Sequence, residues 1–229
     1  MDGWSTIAEN LPLYLGGAWV SLQLLAISLA FGLLIAIPLG VLRAMHNPWV
    51  WRPVWVYTYV FRGTPMLVQL FLIYYGLGQF EAVRESFAWA WLQNAWFCAC
   101  LAFVLNTAAY TTEIIAGAIR SLPNGEVEAA KAYGMDRFTM LRRIVLPAAL
   151  RRALPAYGNE AIFMLHGTSL AMLVTIADLT GVAKRIYAVH YIPFEAYLTA
   201  GAFYLVMTMS LVALFRWAEN RFLKPLMPR

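Results

Sequence analysis

Long uncharged apolar runs alternate with short charged connections along this chain. Asn10 to Leu42, Gly63 to Phe80, Ser86 to Thr112, Ala161 to Ala177 and Ala196 to Phe215 contain no Asp, Glu, Lys or Arg. A membrane-crossing helix needs about 20 mostly apolar residues at a rise of about 1.5 Å each. The pattern therefore predicts five spans, near 17–43, 54–79, 93–119, 153–177 and 196–216. An odd number of crossings puts the two termini on opposite faces. The expected organisation is an N-terminal segment over 1–16, one all-α membrane domain over 17–216 and a C-terminal tail over 217–229. No linker, low-complexity tract or internal repeat suggests a second domain.

The exception to the apolar pattern is Glu126 to Pro147, a charged amphipathic segment between spans three and four. Glu126 and Glu128 fall in the first turns of a predicted helix starting near Asn124, where negative charge complements the helix dipole. Val127, Ala130, Lys131 and Gly134 recur at i, i+3, i+4 and i+7. A mid-helix glycine costs about 1 kcal/mol against alanine, so Gly134 predicts a turn joining two short helices.

Composition supports the membrane assignment: 62% of the 229 residues are hydrophobic and 13% charged, about half the charge of an ordinary soluble domain. The net charge of +5 reads as orientation rather than as a nucleic-acid footprint. With the N-terminus outside, thirteen Lys and Arg fall in the inner segments, seven of them between Arg120 and Arg152. Only Arg84, Lys184 and Arg185 fall outside, and Arg62 falls within span two. The positive-inside rule then places the N-terminus outside and the Glu126–Pro147 segment in the cytoplasm. Cys98 and Cys100, two apart on a helix, point roughly 200° apart and cannot bridge each other.

Several motifs carry a family resemblance. Glu128-Ala129-Ala130, then Gly134, then Ile144, Leu146 and Pro147 resemble the "EAA" loop of ABC importer permeases. Phe61-Arg62-Gly63-Thr64-Pro65 with Val68-Gln69-Leu70-Phe71, and Asn106-Thr107-Ala108-Ala109-Tyr110 leading to Gly117-Ala118-Ile119-Arg120, resemble polar amino-acid uptake permeases. The likeness covers roughly Leu11 to Arg221 and lies nearest the M-type subunits for histidine, lysine, arginine and ornithine. It implies a type I ABC importer permease fold in a bacterial inner membrane. It also implies a Q-type permease as heterodimer partner, two ATPase subunits and a periplasmic amino-acid-binding protein. Glu128, Ala129, Ala130, Gly134, Ile144, Leu146 and Pro147 would then couple this chain to the ATPase. No P-loop is present, so this chain is expected not to be an enzyme and to bind no cofactor, with ATP and Mg on the partner ATPase.

Candidates for the substrate path are polar groups in or near the spans. Arg62, Glu113 and Glu160 fall at similar depth, roughly 10–14 Å from the inner face, and charges there should face the bundle interior, a partner or water. Two readings stand: a buried ion-pair cluster locking helices two, three and four, or a carboxylate left free to meet a cationic substrate or gate the inner mouth. Gln69, Asn106, Asn159, Thr168 and Ser169 serve equally as interhelical hydrogen bonds or as ligand groups. Many relatives for neutral or acidic amino acids carry a lysine where Leu165-His166-Gly167-Thr168-Ser169-Leu170 has His166. A histidine neutral at pH 7 removes a repulsion of roughly 3 kcal/mol between like charges about 6 Å apart, which would favour a cationic substrate. His46, His166 and His190 give no paired metal spacing, and His166 with Ser169 lacks a third catalytic group. The rival architecture is a self-sufficient channel or secondary transporter, for which five spans offer no inverted repeat.

Overall fold

The computed structural model describes residues 3–223, the side chain of Asn124 excepted. Its described α-helices, in chain order, are α1 (Gly3–Glu9), α2 (Leu11–Ala44), α3 (Pro48–Gly63), α4 (Met66–Phe71), α5 (Glu81–Arg84), α6 (Trp89–Leu92), α7 (Ala95–Arg120), α8 (Asn124–Ala132), α9 (Arg137–Met140), α10 (Leu146–Gly167), α11 (Leu179–His190) and α12 (Pro193–Phe222). No strand occurs among the described residues.

Small residues decide which long helices touch. In α2, Gly32, Ala36 and Gly40 are spaced four apart and all are buried, so one face carries almost no side chain. α7 lies against that face: a Cβ added to Gly32 would collide with Thr107, and one on Gly40 would stand 2.6 Å from Ile115 Cγ2. In a lipid medium, where apolar side chains gain little from meeting each other, this close approach is what holds two helices together. Within its most apolar stretch α7 is 67% buried, whereas α12 is 6% buried. The first is therefore the centre of the bundle and the second its edge.

Among the described residues, three helices, α2, α7 and α12, are long and apolar enough to cross a membrane, and two bent pairs bring the number to five if each pair is one span. The predicted boundaries shift in every case but the third. The described part of the segment 1–16 is largely helical, with α1 followed by α2 from Leu11, because Pro12 suits the first turn of a helix. α12 continues to Phe222, past the expected end at 216, and the rest of the expected tail, from Lys224 on, lies outside the described residues.

The expected continuous second span is broken. α3 and the helix from Met66 to Gln79 meet at 103°. Thr64 is extended (φ −115°, ψ 145°) and Pro65 follows at φ −62°, ψ 134°. Proline has no N–H to continue the ladder and drives the preceding residue out of the α region. The fourth span is also bent. α10 begins at Leu146, with Pro147 in its first turn, and tightens to a 3-10 turn over Thr168–Val174. Thr175 then turns left-handed at φ 68°. Asp178, fully buried, caps α11 by accepting from the backbone N–H groups of Thr180 (3.1 Å) and Gly181 (3.0 Å), and Tyr204 donates to it at 3.3 Å.

Candidate functional site

The bends create a cavity of about 680 Å³ between the break after α3, α7 and α10. Four of the polar residues singled out in the sequence reach it: Arg62, Asn106, Asn159 and Glu160. Glu160 is 7% exposed. Neither it nor Arg62 has an oppositely charged side-chain partner within 4 Å among the described residues. The Arg62 guanidinium lies 5.2 Å from the centre of the Tyr110 ring, within the range where a cation is attracted to an aromatic face. Tyr110 lines the same cavity, and reading the sequence for charge and amide groups alone passed over it.

Of the two readings of Arg62, Glu113 and Glu160, the ion-pair cluster finds no salt bridge joining the three among the described residues. Glu113 pairs with Arg43, whose Nε donates to its Oε1 at 2.7 Å, and the Thr58 hydroxyl donates to the same oxygen at 2.7 Å. Glu113 thus joins α2, α3 and α7 and borders a second hollow of about 500 Å³, which Arg62 also lines. The sequence places Arg43 at the inner end of the first predicted span, with nothing to name its partner. It is the last basic residue of α2, and packing of α2 on α7 brings it to Glu113.

Gln69 lies behind the cavity wall. Its Nε2 donates to the carbonyls of Phe61 (2.7 Å) and Thr64 (3.1 Å), and its Oε1 accepts from Asn106 Nδ2 at 2.9 Å. Three of the fourth-span candidates turn away from the cavity. Thr168 and Ser169 donate to the carbonyls of Leu165 and His166 at 2.7 Å each, closing the end of their own helix. His166 is exposed, with Nε2 3.2 Å from the Thr208 hydroxyl on α12. The expectation of His166 beside this cavity is therefore corrected: the helical turn that carries Glu160 inward points residue 166 toward the last helix.

The charged segment folds as α8, a turn and α9, with a five-residue π turn over Leu141–Val145 leading into α10. Gly134 has φ 73°, and the amides of Gly134 and Met135 donate to the carbonyls of Lys131 (2.9 Å) and Ala130 (3.1 Å). That paired arrangement is a Schellman end, which requires a left-handed residue after the helix. Asp136 caps α9 by accepting from the amides of Phe138 (2.9 Å) and Thr139 (3.0 Å). Hydrogen bonding from Thr139 holds the Asp136 carboxyl below its usual range.

The predicted loop residues divide by what they face. Glu128, Ala129 and Gly134 are exposed. Ala130, 3% exposed, turns inward, so it seats α8 on its own chain and is not itself a contact surface. Ile144, Leu146 and Pro147 are half-buried where α10 begins. A small core of Leu122, Val145, Ala149 and neighbours, with Val127 and Leu141 packed against it, fixes α8 to the base of α7 and α10. Tyr133 and Phe138 stand out at 87% and 70% exposure. The signal for them in the sequence is a pair of large aromatics within a charged segment.

The comparisons agree with this architecture. Residues 18–224 match the family model described as "Binding-protein-dependent transport system inner membrane component". The chain is 47% identical to the histidine/lysine/arginine/ornithine transport system permease protein HisM of Escherichia coli (strain K12), covering 93% of this chain and 90% of that one. It is 46% identical to the nopaline transport system permease protein NocM of Agrobacterium fabrum, with the same coverage. Among solved structures, an amino acid ABC transporter crystallised with histidines superposes with a TM-score of 0.84 at 32% identity, covering 96% of this chain and 99% of that chain. The fold is also that of the MetNI methionine ABC transporter in an inward-facing form, with a TM-score of 0.72 at 22% identity, covering 95% of this chain and 98% of that chain. With its all-helical type I permease fold, its broken spans and its exposed loop helix, the chain belongs to the binding-protein-dependent transport system inner membrane component family, as a permease subunit of an ABC importer.

Proposed function

We propose that this chain forms half of the translocation path of an ATP-driven importer of basic amino acids, and that the cavity between α3, α7 and α10 receives the solute. The observation that carries this reading is that one cavity is lined by a carboxylate, Glu160 of α10, and a guanidinium, Arg62 of α3, neither of them in a salt bridge among the described residues. Isolated charges in such a position are costly unless something meets them. An arginine or ornithine molecule brings both complements: its α-carboxylate suits Arg62, and its cationic side chain suits Glu160. Asn106 and Asn159 supply neutral donors and acceptors beside them. The names of the relatives, which specify histidine, lysine, arginine, ornithine and nopaline, support the same solute class.

We infer the remaining assembly, for which the family membership is the support. A second permease of the Q type completes the path, two ATPase subunits bind ATP and Mg, and a periplasmic binding protein delivers the amino acid. The loop bearing Glu128, Ala129 and Gly134, with Tyr133 and Phe138 projecting beside them, docks on the ATPase from the cytoplasm, with the N-terminus of the chain in the periplasm. Coupling requires that the loop move with nucleotide state.

The test is ATPase activity of this chain co-purified with its candidate partner permease and ATPase in nanodiscs, with and without liganded binding protein. Stimulation by the arginine- or histidine-loaded binding protein is the expected result. Failure of any ATPase to co-purify would return the chain to the channel or secondary-transporter class.

A further inference from the structure

The break in the second span leaves backbone carbonyls without helical partners, and side chains take them up one by one. Pro65 has no N–H to offer Phe61, and Thr64 and Pro65 have left the helical path. The Thr64 hydroxyl donates to Val60 O at 2.8 Å, and Gln69 Nε2 donates to Phe61 O and Thr64 O. Tyr110 donates to Arg62 O at 3.3 Å. In an apolar surrounding each such carbonyl is expensive to leave unpaired, so these side chains fix the angle of the break.

Two of the groups involved come from α7. Asn106 and Tyr110 are four residues apart and so share a helix face. Both also line the cavity. Asn106 reaches the break mainly through Gln69, giving its Nδ2 to Gln69 Oε1 at 2.9 Å, with Phe61 O at the longer distance of 3.5 Å. Gln69 is buried, does not line the cavity, and uses both ends of its amide: donor to the broken backbone, acceptor from the third span. No apolar side chain of the same size can do both, and no carboxylate can donate unless protonated.

We propose that Gln69 is the positioning residue of a hinge at Gly63–Pro65, tying the broken second span to α7 through Asn106 and thereby setting the cavity wall that carries Arg62. The hinge takes the cavity to be the solute path proposed above. Its assay needs no transport, so its failure is distinct from failure of the import reading.

The experiment uses the full chain with its partner subunits in membrane vesicles, with Cys98→Ser and Cys100→Ala, and Gly63→Cys as reporter. A Cβ at Gly63 meets nothing within 4 Å. The rate of reaction with a membrane-impermeant maleimide is measured. Gln69→Leu removes the bonds to Phe61, Thr64 and Asn106 together and is expected to raise that rate at least tenfold, about the factor that losing one buried hydrogen bond would set. Gln69→Glu is expected to raise it at mildly alkaline pH and to approach the parental rate at mildly acidic pH, where the protonated carboxyl again donates to Phe61 O. A residue that only fills space would give parental rates in Gln69→Leu and, in Gln69→Glu, a ratio to the parental rate at the same pH that does not change with pH, and that pair of results overturns the proposal. Should Gln69→Leu fail to accumulate, Asn106→Ala removes the α7 leg of the bridge alone: an increased rate supports the hinge, and a parental rate overturns it.

Discussion

Arg43 and Glu113, seventy residues apart in sequence, are joined by a 2.7 Å hydrogen-bonded ion pair that ties the end of α2 to α7. Thr58 of α3 donates to the same carboxylate oxygen, so a single atom fastens three helices. Both side chains are largely screened from solvent, at 14% and 17% exposure. Removing one partner of such a pair leaves a poorly solvated charge, which costs about 3–5 kcal/mol when burial is complete and less here. Arg43→Met and Glu113→Gln are each expected to lower the thermal stability of the assembled complex. The double variant should lose less than the sum, as a double-mutant cycle on melting temperature would read. Thr58→Val is expected to cost about 1 kcal/mol, the net worth of one hydrogen bond.

Glu160→Gln keeps the size of the side chain and removes the charge that the proposed cationic substrate would meet. A charge-assisted hydrogen bond is worth about 1.5–3 kcal/mol, so arginine uptake is expected to fall by about ten- to hundredfold. The complex should still assemble and its ATPase should still respond to liganded binding protein. Unchanged arginine uptake in proteoliposomes would remove Glu160 from the path.

Gly134 turns left-handed at φ 73°, a conformation that costs an ordinary L-residue about 1–2 kcal/mol. Nothing lies within 4 Å of a Cβ placed there, so Gly134→Ala pays only this backbone strain and is expected to weaken, without abolishing, ATPase co-purification. Gly134→Asp adds a charge to the exposed loop and is expected to lose co-purification while the chain still inserts, as is Glu128→Lys. Normal uptake by Gly134→Asp and Glu128→Lys would separate the loop from coupling.

Asp136 holds the start of α9 through the amides of Phe138 and Thr139. Those bonds favour its ionised form and lower its pKa below the ordinary 3.8. Because the folded value is the lower one, the cap's contribution is present above the unfolded value and is lost as pH falls through the folded value. Protection of the α9 amides, measured against their intrinsic exchange rates, is therefore expected to hold at neutral pH and to be lost only in strong acid. Asp136→Ala should lower that protection at neutral pH and change nothing in strong acid, where the parental cap is already lost.

Gly40 faces Ile115 so closely that a Cβ would stand 2.6 Å from Cγ2 and 3.3 Å from the Thr112 carbonyl. The carbonyl belongs to a helix backbone and cannot step aside. Gly40→Val is expected to separate α2 from α7 at a cost of about 1–3 kcal/mol, and to disturb the Arg43–Glu113 pair one turn further along. Melting temperature and yield of the complex measure it. Gly117→Ala, where a Cβ meets nothing within 4 Å, is the control and should change neither.

Features that depend on neighbours along the chain were legible in the residues alone. Charge-free runs marked the helices, since each needs only its own apolar length to belong in lipid. Gly134 marked the turn in the loop, since a left-handed residue is a local demand of the backbone. The resemblance at Glu128 to Pro147 was likewise a matter of linear spacing. Pro65 sat in plain view, yet the chain was read as continuous there because an apolar run does not reveal its direction. Which polar groups meet, by contrast, depends on how the helices pack. Glu113 takes Arg43 rather than Arg62 because the glycine face of α2 brings its far end onto α7. Gln69 and Asn106 meet because a broken helix exposes carbonyls that must be paired, and Ala130 turns inward because α8 rests on the base of α7 and α10. These are contacts between side chains tens of residues apart, fixed by helix packing rather than by any period in the sequence.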